Sequence, residues 1–230
     1  MLLRIGKIRL IKLNIKKQKF MDNVKELRCE MANALTHGIG VLFGITGMPI
    51  LSAVAVKTGN ISDIVGVTIY AFGFLMAFAF STLYHSVREV NTKKSLRTLD
   101  HISIYILIAG TYTPFLLIYM FNSFGITLLV IQWSLVVIGT VFKLFYTGRF
   151  KVFSTLVYIA MGSLLFVGGK TFFVALPTLV SVLLMIGGGL YIFGCIFYLN
   201  KKIVYRHAIW HLFVLLAAIC HYVAVLLVLV

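Results

Sequence analysis

After a basic opening stretch, apolar residues fill the chain in seven long runs divided by short polar breaks. The runs are Ala34–Val56, Ile64–Tyr84, Ile102–Met120, Gly125–Phe145, Val152–Gly168, Leu176–Leu199 and Ile209–Val230. Crossing the hydrocarbon core takes about 20 mostly apolar helical residues, within a range of about 17–25. Val152–Gly168 is at the lower edge of that range and the others are within it. The pattern predicts an all-α polytopic membrane protein, a bundle of seven transmembrane helices. Its breaks are brief: Lys57–Asp63 carries a Gly-Asn pair, Phe121–Ser123 is a tight turn, and Lys201–Arg206 is basic. No segment repeats at a fixed period. Pro114 and Pro177 are expected to kink or begin helices. Gly187-Gly188-Gly189 lies mid-membrane with no strand before it, so it reads as a close helix-packing surface and not as a phosphate loop.

Composition agrees with this pattern. Of 230 residues, 61% are hydrophobic and only 12% charged, against about 25% charged in soluble domains. Too few charges exist to clothe a water-facing surface, so the bilayer is the solvent for most of the chain. Residues 30–230 form one membrane domain, preceded by a basic cytoplasmic segment, 1–29. Positive charges interrupt every apolar stretch of that segment, so it forms no signal-peptide core. Two readings of it stand side by side: a basic amphipathic helix on anionic lipid, or Met21 as the real start with the first twenty residues of little consequence. Cys29, Cys195 and Cys220 are scattered and show neither metal spacing nor a disulfide framework. They are read as packing residues.

A net charge of +15 raises the question of nucleic acid. The charges cluster at the ends of apolar runs, which reports topology instead. Under strict alternation of seven helices, all 21 Lys and Arg residues except Lys57 and Lys170 fall on one side. The positive-inside rule makes that side cytoplasmic, so the N-terminus is inside and the C-terminus outside.

Ionisable groups in a bilayer are costly and mark function by default. His85 ends the second helix, Asp100 and His101 open the third, His207 and His211 open the seventh, and His37 opens the first. The alternation puts all of these at the cytoplasmic end. His207 and His211 are i and i+4, projecting from one helix face about 6 Å apart, and Ser81 and His85 share that spacing. Three histidines from two helices can fill three positions of a metal such as zinc and leave the fourth for water. Asp100 could hold or deprotonate that water. Interfacial histidines bonded to backbone, water or lipid phosphate are the bland alternative, but packing alone gives histidines no reason to share one depth. On position, His37 and His101 rival His85 as third ligand. Glu30, Asn33 and His37 share one face at the start of the first helix, as a supporting shell or a capping network. His221 lies about 15 Å beyond His211 at about 1.5 Å rise per residue, so it reads as a buried polar contact in the outer half. The seventh helix has no lysine, which excludes a retinal Schiff base there.

Taken in order, Glu30-x2-Asn33-x2-Thr36-His37, Ser81-x3-His85, Asp100 and His207-x3-His211 resemble the motifs of the hemolysin III group, from about Glu30 to the C-terminus. That group belongs with the progestin and adipoQ receptors, in a superfamily that includes alkaline ceramidases. The basic head before Met21 is not part of the pattern. The resemblance implies a seven-helix bundle with a zinc ion near the cytoplasmic face. By motif, the zinc ligands would be His85, His207 and His211, which favours His85 over its rivals. Asp100 would contact the water at the open position, and Ser81 would assist catalysis. Glu30, Asn33, His37 and His101 would surround them.

The function expected is a zinc-dependent intramembrane hydrolase of lipid amide or ester bonds, with a role in membrane lipid homeostasis. Membrane lipids would be its partners and substrate, and nucleic acid has no part. The alternative is a haemolysin-like pore-former, or a membrane-state regulator or receptor with a structural zinc. Near-absence of charge from the midplane and outer half argues against a one-subunit pore. The compact chain suits a multi-pass protein of a bacterial plasma membrane.

Overall fold

A computed structural model describes residues 2–200 and 202–230, and the side chains of all of these except 2–12, 168 and 171. The described residues are helical with no strand. Helix α1 spans Leu2–Thr58, α2 Ile61–Ser86, α3 Val90–Tyr119 and α4 Ser123–Tyr146. Helix α5 spans Lys151–Ser163 and leads into a 3-10 turn, Leu164–Gly168, followed by the short α6, Gly169–Ala175. Helices α7, Thr178–Leu199, and α8, Arg206–Val228, complete the chain. Among the described residues six helices are long and apolar enough to cross a membrane, and Lys151–Val167 forms a shorter apolar element. The protein is an all-α, multi-pass membrane protein.

Local chemistry moves several boundaries away from the apolar runs. Helix α3 starts ten residues ahead of Asp100 because Glu89 caps it, accepting from the amides of Asn91 at 2.9 Å and Thr92 at 2.6 Å. Those bonds, led by the one with Thr92, push the Glu89 carboxyl down to about 2, so the cap stays ionised. Lys93, Lys94 and Arg97 therefore ride on a helix and not on a loop. Between α1 and α2 only Gly59 and Asn60 intervene. Gly59 adopts φ 69°, which glycine tolerates without strain, and Asn60 caps α2 through the Ser62 amide. Pro177 begins α7 as expected, while Pro114 lies inside α3. The basic segment is continuous with the first span, since α1 runs unbroken through residues 29 and 30. The side chains of Arg4, Lys7, Arg9 and Lys12 lie outside the described residues.

The fifth run departs most from a plain helix. Non-helical backbone at membrane depth survives only where neighbours satisfy its polar groups. Tyr112 of α3 does so: its hydroxyl donates to the Gly162 carbonyl at 2.7 Å and accepts from the Leu165 amide at 2.8 Å. The helix thus tightens into a 3-10 turn where one tyrosine bridges the transition. Gly169, at φ 53°, then redirects the chain into α6.

The helices close into a ring in which α1 packs on α2 and α8, α2 on α3, α3 on α5, α5 on α7 and α7 on α8. Helix α4 packs on α3. Leu51, Tyr70, Phe74, Phe78 and Phe115 fill the centre, almost wholly buried. Exposed apolar residues such as Phe72, Ile138 and Val174 face outward, as lipid-facing surfaces require. In the glycine triplet only Gly187 packs closely, with His221 and the Ala217 carbonyl where a Cβ would stand; nothing lies within 4 Å of that position at Gly188 or Gly189. His221 is buried as expected, with Nε2 3.4 Å from the Leu184 carbonyl.

Candidate metal centre

The ring brings the last turn of α2 against the first two turns of α8. His85 stands on the former, His207 and His211 on the latter. One ligand nitrogen from each lies within 4.8 Å of the other two. The i, i+4 spacing on α8 sets the His207–His211 ring separation at 4.4 Å, and His85 lies 5.0 and 5.1 Å from the two rings.

Hydrogen bonds hold two of these rings. The Glu30 carboxylate of α1 lies 3.0 Å from His85 Nδ1. A carboxylate only accepts, so Nδ1 carries the proton and the lone pair is at Nε2. The Asn33 amide group lies 3.3 Å from the same Nδ1. His211 Nδ1 lies 3.2 Å from the Asn33 carbonyl, an acceptor, with the Thr36 hydroxyl at 3.5 Å. Its lone pair is therefore also at Nε2. The Nε2 atoms of His85, His207 and His211 are all buried, and none has a hydrogen-bond partner. Three buried, unsatisfied imidazole nitrogens on rings this close together are an expensive arrangement that a metal ion would relieve. The Glu30–His85 contact is of the carboxylate–histidine kind that orients metal ligands.

The remaining predicted residues divide. Ser81 lies one turn before His85, buried, beside the Asp100 carboxyl without closing a full hydrogen bond to it. His37 stacks on His211 at 3.6 Å between ring centres and takes Phe78 edge-on; it is a wall of the site and not part of the three-nitrogen cluster. His101 points elsewhere, into a cleft lined also by Asp100, Lys143, Ser154 and His207. Sequence reasoning missed Lys93, which donates to Glu30 at 2.9 Å and to the carbonyls of Tyr84 and Val87 at the end of α2. In the sequence Lys93 reads only as a topology charge. Lys143 was missed in the same way, although its position inside the run Gly125–Phe145 was a visible signal.

A model of the family described as "Haemolysin-III related" matches residues 25–222. The chain belongs to the haemolysin-III family. It is 48% identical over 195 residues to the "Hemolysin-3 homolog" of Bacillus subtilis (strain 168), covering 85% of this chain and 90% of that one. It is 47% identical over 186 residues to "Hemolysin-3" of Bacillus cereus, covering 81% and 85%. It is also 30% identical over 205 residues to the human "Monocyte to macrophage differentiation factor", covering 84% and 82%. This last relationship joins the haemolysin-III family to progestin and adipoQ receptor-type proteins. The matched region takes in every residue of the candidate site and leaves out the basic head.

Proposed function

We propose that this haemolysin-III protein is a zinc-dependent intramembrane hydrolase of lipid amide or ester bonds, seated in a bacterial plasma membrane and serving lipid homeostasis. The observation that carries the reading is the trio of buried, unpartnered Nε2 atoms on His85, His207 and His211. Three imidazoles with an open fourth position are the donor set of catalytic zinc sites. A zinc ion held there would polarise a carbonyl and bring the pKa of a coordinated water towards about 7.

The chain's own groups supply the rest. Asp100, buried beside Ser81 and within electrostatic reach of His85, accepts a proton from the attacking water and returns it to the leaving group. The Ser81 hydroxyl, without a partner of its own, donates to the oxygen on which negative charge develops. Glu30 keeps the His85 proton at Nδ1, and the Asn33 carbonyl does the same for His211. His37 and Phe78 exclude water from the inner side.

Asp100→Asn keeps the shape but cannot take a proton. Bound zinc is expected to stay near one per chain while lipid turnover falls by about 100-fold or more, the usual contribution of a general base. Metal analysis beside mass spectrometry of lipid extracts incubated with purified protein measures both. Absence of any zinc-dependent product across lipid mixtures would overturn the hydrolase. It would favour the rival reading suggested by the relatives' printed name, a lytic or regulatory protein with a structural metal.

The positive-inside distribution supports an N-terminus in the cytoplasm and a C-terminus outside, with the site at the cytoplasmic end. A reporter fused after Val230 is expected to read external, and one inserted between Lys93 and Arg97 cytoplasmic. Two cytoplasmic readings would mean an even number of crossings and break this topology.

A further inference from the structure

Lys143 sits near the end of α4, inside an apolar run, and is only 2% exposed. Its Nζ donates to Ser154 Oγ at 2.6 Å. No carboxylate neutralises it: the ion pairs among the described residues join Glu30 to His85 and to Lys93. An ammonium at this depth is costly without a counter-charge. Its surroundings add positive charge. Lys143, Arg149 and Lys151 line a cleft whose single carboxylate is Asp100 and which His207 also lines. The Arg97 guanidinium packs against Gly148, which lines the same cleft and has φ 80°. A side chain at that position would push Arg97 away.

The cleft does not stand alone. A second groove shares Lys151 and Tyr198 with it and continues over Phe150, Val152 and Phe153 to Leu199. Those three residues of the α4–α5 junction are 61%, 58% and 56% exposed. Cations and tyrosines therefore gather in the cleft, while the groove adds the exposed apolar stretch Phe150, Val152 and Phe153 beside Arg206. This layout fits an amphiphile whose head is anionic.

We propose that the cleft between α3, α5 and α7 binds the phosphate of a glycerophospholipid headgroup, with Lys143 and Arg149 as its principal partners and an acyl chain along Phe150–Phe153. A guanidinium and an ammonium together suit a phosphate, the first as a planar fork and the second as a point charge. Since Asp100 and His207 line the same cleft, a lipid held by its phosphate presents its ester carbonyls towards the three histidines. The proposal deepens the hydrolase reading by giving its substrate class, and to that extent rests on it. Binding itself requires no hydrolysis.

The test is binding of dihexanoyl phosphatidic acid to the detergent-solubilised full chain by titration calorimetry, beside dihexanoylglycerol and inorganic phosphate. The short-chain phosphatidic acid is expected to bind at least 10-fold more tightly than either, since each lacks one half of the contact. Lys143→Met is expected to weaken it by about 10-fold or more, and Arg149→Gln by several-fold, by loss of charge-assisted hydrogen bonds. Arg149 is exposed, so its variant folds even where Lys143→Met does not. Binding is read on the parent protein whether or not any lipid is turned over, so a failed hydrolase and a failed headgroup site give different results. Phosphatidic acid binding untouched by Arg149→Gln and Lys143→Met would overturn the proposal. Inorganic phosphate binding as tightly as the lipid would overturn its lipid source.

Discussion

Replacing His85 or His211 by alanine is expected to strip the purified protein of most of its bound metal, while His221→Ala leaves metal at the parent level. Three imidazoles define the proposed site, and two cannot fix a tetrahedral ion. No nearby group takes the lost ligand's place without rearrangement. His37 is stacked flat on His211, and His101 faces the Lys143 cleft. His221 touches Gly187 and the Leu184 carbonyl on α7, far from the histidine cluster. Elemental analysis of the four proteins, each purified without added metal, decides the matter. Full retention in His85→Ala would remove α2 from the ligand set and return His37 or His101 to consideration.

Gly73→Val, like Gly66→Val, is expected to cause a large loss of stability in the α2–α3 pair. These two helices form the most extensive packing in the bundle. A Cβ on Gly73 would stand 2.9 Å from the Ile106 carbonyl oxygen, and one on Gly66 2.8 Å from Pro114 Cα. Both obstacles are backbone and cannot rotate aside, so the helices must part. Overpacking of this kind costs about 1–3 kcal/mol, and valine adds β-branching to the clash. The thermal midpoint of the detergent-solubilised protein is the measurement, with Gly189→Ala as control because nothing lies within 4 Å of its would-be Cβ. Equal midpoints for Gly73→Val and the control would show that close packing at Gly73 contributes nothing. Parting α2 from α3 would also separate Ser81 and His85 from Asp100, so any lipid turnover and stability should fall together.

Helical class, membrane residence and the candidate site positions could be read from the chain because each rests on a local quantity. A run of about 20 apolar residues leaves a backbone in lipid one simple solution, the helix. The i, i+4 spacing of His207 and His211 puts both on one face whatever surrounds them. Depth follows from position along a span, so His85 and Asp100 could be placed at the same level as that pair. Other features were beyond any local rule. The short fifth run showed its length, but its 3-10 ending depends on the Tyr112 hydroxyl arriving from another helix. Helix α3 extends past its apolar run because Glu89 caps it, an effect hydropathy does not register.

Position along the chain left three candidate third ligands level and the family resemblance favoured His85; the packing of α2 on α1 and α8 is what brings His85 beside His207 and His211. Depth restricts a side chain to a level, but only the order of helices around the ring decides which rings at that level meet. Glu30 and Asn33 on α1 turn the lone pairs of His85 and His211 to Nε2, and their partners lie 55 and 178 residues away along the chain. Lys143 shows the same division. Its sequence position marked it as a charge inside an apolar run, and charge counting absorbed it as topology. Its burial against Ser154, in a cleft also lined by Asp100 and His207, arises only when α3, α4, α5 and α7 come together. Periodicity and hydropathy are properties of one segment, whereas a binding site is a coincidence of several, and that coincidence exists only in the folded bundle.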